Sequence, residues 1–109
     1  MTKVKFFADS KRVLGFKVSG HSSINCDDEN GKLVCAAVSS AAYMAANTIL
    51  EIVGDESYVD VDDAELELRV KNPSEQTDVV LLGFKLHMEQ LSKQYSNHLY
   101  FGGVIHVKD

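Results

Sequence analysis

Two side chains that can act together on a carbonyl carbon stand close in the sequence, His21 behind Gly20 and Cys35 ahead of an alanine-rich run. A thiolate is a strong nucleophile, and an imidazole beside it can take up the thiol proton and later give it to a leaving amine. Cys35 precedes or begins the predicted helix, where unpaired backbone N–H groups and the helix dipole favour negative charge. That setting lowers a thiol pKa, and the same N–H groups would serve as oxyanion donors. Ser39 falls one turn beyond Cys35 on the same helix face and could orient the site. Attack on a peptide carbonyl is the reaction these parts suit. The plain alternative is an inert buried cysteine and a structural histidine.

Between the pair runs a polar, acidic stretch holding Asp27, Asp28, Glu29 and Lys32. It reads either as a candidate lid that attracts a basic substrate segment or as a solvated loop. Asp28, Asn30 and Gly31 echo part of a calcium loop, but Cys26 and Ala37 would occupy its first and twelfth positions, so that form fails. His21, Cys26 and Cys35 match no short zinc motif and lack an evident fourth ligand. No metal or organic cofactor is implied. Cys26 sits beside three carboxylates, which disfavours its thiolate, and its spacing from Cys35 is far from C-x-x-C, so a redox pair is the weakest reading. His87, His98 and His106 are read as surface or packing residues.

The elements that must hold these residues follow from periodicity. Lys3 to Ala8 and Val13 to Ser19 read as a hairpin, with Leu14, Phe16 and Val18 on one face and Gly20 turning the chain at its end. A helix is predicted from about Leu33 to Val53, stopped by Gly54 in the left-handed conformation. Tyr58 to Val61 and Glu65 to Lys71 form the next strand pair, with Leu66, Leu68 and Val70 inward. Pro73 opens a second helix with Val80, Phe84, His87 or Met88, Leu91 and Tyr95 on its apolar face. Leu99 to Val107 is a last strand, interrupted by a bulge at Gly102-Gly103. The order β-β-α-β-β-α-β predicts an α+β fold, a mainly antiparallel sheet with two helices packed on one face.

At 109 residues the chain is expected to be one domain, residues 1–109, with a core that needs no staples. A formal charge of -5 argues against direct nucleic-acid binding, which needs cations for phosphates, and favours a basic peptide or protein partner. The run from Leu33 to Val53 is long enough to span a membrane, but its Ala and Ser content, Asn47, Thr48 and acidic flank point to a helix buried on most sides by protein. With two cysteines and no basic, apolar leader, the expected setting is the cytoplasm.

Gly20-His21 followed, after a variable loop, by Val34-Cys35-Ala36-Ala37-Val38-Ser39 on this element order resembles the ribosomal-processing cysteine protease family, Prp or YsxB-like. The resemblance covers essentially the whole chain, and its specific residues lie in that one stretch. It implies that His21 and Cys35 are the catalytic pair, with Gly20 and Ser39 as the family's supporting glycine and serine. It further implies removal of an amino-terminal extension from large-subunit ribosomal protein number twenty-seven, a homodimer, and a mobile cover over the site. The family commonly carries an aspartate three residues before the cysteine, where this sequence has Lys32. A cation there supports a thiolate but cannot accept a hydrogen bond from the histidine, leaving Asp27, Asp28 or Glu29 as candidates for that task. A non-enzymatic, ribosome-associated binding module on the same fold is the alternative.

Overall fold

Alternation of apolar and charged side chains gives each inner strand a dry face and a wet one, and the sheet is assembled from that division. The computed structural model describes residues 1–20 and 28–107. In β1 (Thr2–Ala8), Thr2, Val4 and Phe6 turn inward while Lys3 and Lys5 stay in solvent. β2 (Val13–Ser19) returns antiparallel to β1, with Phe6 opposite Phe16. β3 (Ser57–Val61) and β4 (Glu65–Val70) form the second hairpin, and β4 buries Leu66, Leu68 and Val70 as the alternation predicts. β5 (Leu99–His106) closes the opposite edge. The strand order is β3-β4-β2-β1-β5, antiparallel throughout except that β5 runs parallel to β1. The Gly102-Gly103 bulge is present: the β1–β5 register jumps from Val4 opposite Phe101 to Phe6 opposite Val104.

Two helices cover one face. α1 (Glu29–Asn47) passes into a π-helical segment, Thr48–Val53, which Gly54 ends at φ 83°. α2 (Glu75–Gln94) follows Ser74, whose hydroxyl accepts from the Thr77 N–H. Val34, Val38, Ala42, Ile49, Leu81 and Met88 meet Val4, Phe6, Phe16, Val18 and Leu68 in one continuous core. Each such side chain, fully buried, contributes about 1.5–3 kcal/mol, so this interface dominates the stability of the domain. Phe6 lies at its centre, with ring centroids 5.7 Å from both Phe84 and Phe101.

Three expectations are revised. α1 begins at Glu29 and not near Leu33, because Asp28 is extended and its carboxylate accepts the Gly31 N–H at 2.6 Å, a cap that offsets the poor helix propensity of Asn30 and Gly31. The residues from Glu29 to Val53 are long and apolar enough to span a membrane by length and composition, but burial runs along one face only. Leu33, Tyr43, Met44 and Ile52 are exposed on the other. The buried stripe of α2 is centred on Thr77, Leu81, Phe84 and Met88, with Val80, Leu91 and Tyr95 packed at its margin.

Candidate active site

β2 delivers the chain to the site through Gly20. Its amide donates to the Ala64 carbonyl at 2.8 Å, its φ is +72°, and a Cβ there would lie 2.7 Å from the Met1 carbonyl oxygen. Only glycine fits that conformation and that space together. The Gly20 carbonyl then faces the Cys35 thiol, Sγ lying 3.9 Å from the oxygen. The next residue in the chain is His21. The end of β2 and the second turn of α1 therefore bring the two halves of the expected pair to one place by way of Gly20.

Cys35 is 4% exposed, with Val34 beside it and Val38 one turn on in the core. Burial holds the thiol on one side of the helix, so a substrate must reach it from the Gly20 side. Ser39, one turn further, is half-buried, and Lys32, nearly one turn earlier, is exposed. His21, Cys26 and Asp27 lie outside the described residues.

The true start of α1 changes the expected electrostatics. Cys35 is seven positions past its cap, about 10 Å along the axis at 1.5 Å per residue. The dipole effect falls off within the first turn, so it is not what activates this thiol. The open N–H groups at the helix start are too remote to be the oxyanion donors expected from the sequence. Gly31 N–H is already taken by Asp28, and Lys32 N–H by the Asp28 carbonyl at 2.9 Å.

Asp28 and Glu29, read from sequence as parts of a candidate lid, are the cap and first residue of α1. Asp28 orients a different histidine from the one anticipated. His98 Nε2 lies 3.2 Å from its Oδ1 and 3.3 Å from its Oδ2. The Gly31 amide first, and His98 second, hold the Asp28 carboxyl below its ordinary pKa. His98 is thus a specific partner where a general surface or packing role was expected. No local sequence signal pairs it with Asp28, since the two are brought together by the fold. His87 and His106 are exposed. His87 also borders an apolar groove of about 230 Å³ between α1 and α2, with Ala41, Met44, Val79 and Gly83. Among the described residues, no cluster of three His, Cys, Asp or Glu side chains is arranged to hold a metal ion.

With this geometry established, comparison with known proteins is informative. A family model, cysteine protease Prp, matches residues 1–100. The fold is similar to that of SMU.848 from Streptococcus mutans, with a TM-score of 0.86 at 16% identity, covering 98% of this chain and 99% of the other. It is equally similar to the essential ribosomal processing protease Prp from S. aureus in complex with a substrate peptide, with a TM-score of 0.86 at 14% identity, covering 94% of this chain and 99% of that one. A second S. aureus Prp structure, holding a covalently linked product peptide, aligns with a TM-score of 0.78 at 17% identity over the same shares. No curated protein sequence is a significant match.

Proposed function

The chain belongs to the cysteine protease Prp family, and from that membership we propose that it is a cytoplasmic endopeptidase acting through Cys35 and His21. Its substrate is the extended precursor of large-subunit ribosomal protein number twenty-seven, from which it removes the amino-terminal extension during ribosome assembly. The observation that carries this reading is the seating of the Cys35 thiol against the carbonyl of Gly20, the residue joined directly to His21. The S. aureus relatives support it, one with a substrate peptide and one with a covalently linked product peptide.

In this reaction the His21 imidazole takes the Cys35 proton, and the thiolate adds to the scissile carbonyl, giving a tetrahedral oxyanion. Collapse breaks the C–N bond as His21 gives its proton to the departing amine, leaving a thioester on Cys35. Water then attacks the thioester with His21 as base, releasing the carboxylic acid and restoring the thiol. The chain's own residues supply every proton transfer. The protein works as a homodimer, an assembly that would cover the outward apolar side chains of α1 and α2.

Because the helix dipole does not reach Cys35, its reactivity must depend on His21. Wild-type Cys35 should be alkylated by iodoacetamide at pH 6 about tenfold or more faster than in His21→Ala, whose thiol reverts to an ordinary pKa near 8.5. Equal, slow alkylation in both proteins would remove the catalytic pair and favour a ribosome-associated binding module, a reading consistent with the deep burial of Cys35.

A further inference from the structure

We infer that His98 is a positioning residue: acting through Asp28, it holds the start of the helix that carries Cys35 and thereby sets the seat of the thiol against Gly20. Its kinetic consequence rests on the protease reading, whereas the tether itself does not.

The start of α1 projects beyond the core. Glu29, Asn30, Lys32 and Leu33 are exposed, and the first buried residues are Val34 and Cys35. Among the described residues, the Asp28–His98 contact is the only side-chain hydrogen bond or ion pair joining this overhang to another element. An ionised carboxylate only accepts, so Nε2 of His98 carries the hydrogen it donates. The same carboxylate caps the helix through Gly31 N–H at 2.6 Å. One side chain thus closes the helix end and receives the tie that anchors it.

His98 is a fixed post. Its amide donates to the Tyr95 carbonyl at 2.9 Å, and its carbonyl accepts from the Thr2 amide at 3.1 Å. Thr2 follows Met1, whose carbonyl oxygen lies so close to Gly20 that a Cβ there would approach within 2.7 Å. The Met1-Thr2 segment therefore sets the position of Gly20 on one side and of His98 on the other. Through His98 and Asp28, the helix start is registered to the backbone that locates the Gly20 carbonyl. Loss of the tie frees the overhang to shift or fray, and Cys35 sits on the next turn. A displacement of about 1 Å in a reacting group can cost up to ~10²-fold in rate.

The experiment compares wild type, His98→Ala, His98→Gln, Asp28→Ala and the double alanine variant. Cleavage kinetics on the extended ribosomal protein precursor are measured with hydrogen exchange of the peptide covering residues 29–35. His98→Ala should lower kcat about tenfold with KM little changed, a loss within the range for a misplaced reacting group. The longer amide of His98→Gln can still donate to Asp28 and should restore most of the rate. The double variant should be no worse than Asp28→Ala alone, the non-additivity expected of one shared contact. Exchange over residues 29–35 should quicken in His98→Ala and return towards wild type in His98→Gln. Unchanged kcat and exchange in His98→Ala, or losses that Gln does not rescue and that add to those of Asp28→Ala, would overturn the inference. If wild type fails to cleave the precursor at all, the protease reading falls, and the exchange data alone decide whether the tether exists.

Discussion

A carboxylate that accepts several hydrogen bonds in the folded chain releases its proton more readily than in the unfolded one, and Asp55 is the fullest case. Its Oδ2 accepts the Ser74 amide at 2.8 Å, the Ser74 hydroxyl at 2.8 Å and the Thr77 hydroxyl at 2.7 Å. The Ser74 amide first, then the Thr77 and Ser74 hydroxyls, hold its pKa below the ordinary value. A depressed folded-state pKa contributes stability that is fully present above the unfolded value, near 3.9, and is lost as pH falls through the folded one. Wild type should therefore lose more stability to urea between pH 6 and pH 3 than Asp55→Asn, which is already weakened at pH 6. Equal losses in the two would show that Asp55 is not coupled to folding. At this scale the sequence was partly legible. Cys35 and His21 announce themselves by type and by short spacing, and Gly20 by its place at the end of a strand. Asp55 with Thr77, and Asp28 with His98, are separated by 22 and 70 positions, and only the folded chain brings them together.

Elements were more legible in their existence than in their ends. Strict alternation in Glu65–Val70 placed β4 and its inward Leu66, Leu68 and Val70 correctly, because a half-buried strand requires that pattern. The first turn of α1 was hidden because Asn30 and Gly31 are weak helix formers, and propensity yields here to a cap made by Asp28. That shift of a few residues has chemical weight. It moves Cys35 from the helix terminus, where a dipole would activate it, to the second turn, where an imidazole must. The rotation of the α2 stripe towards Leu81 has a simpler cause: a broad apolar face satisfies several neighbouring helical phases, and contact with the sheet selects one. Gly54 stops the long helical run where the sequence placed it, since few other residues tolerate its φ of 83°.

The whole molecule was read correctly as two β-β-α units and a closing strand, with both helices on one face. The parallel docking of β5 beside β1 was not legible, because periodicity records which face a residue takes and not which neighbour a strand chooses. Nor did the alanine-rich helix reveal how much of its other side remains open. Val79, Leu82 and Leu86 on α2 are 71%, 56% and 56% exposed, and Met44 and Ile52 on the α1 side are 65% and 80% exposed. A continuous surface of this kind is what a second copy would cover. Light scattering behind size exclusion should give twice the 12.0 kDa chain mass at micromolar concentration, falling to the monomer in Leu86→Glu. A wild-type monomer would contradict the dimer, and because Leu86 is largely exposed the substitution should leave the fold intact.

The measurement that tests the central claim most directly is the intact mass of the extended ribosomal protein precursor after incubation with the purified, reduced protein and, in parallel, with Cys35→Ser. The account predicts a single amino-terminal cut by wild type and none by the variant. A precursor left whole by folded wild-type protein, or cut equally well by Cys35→Ser, would contradict it.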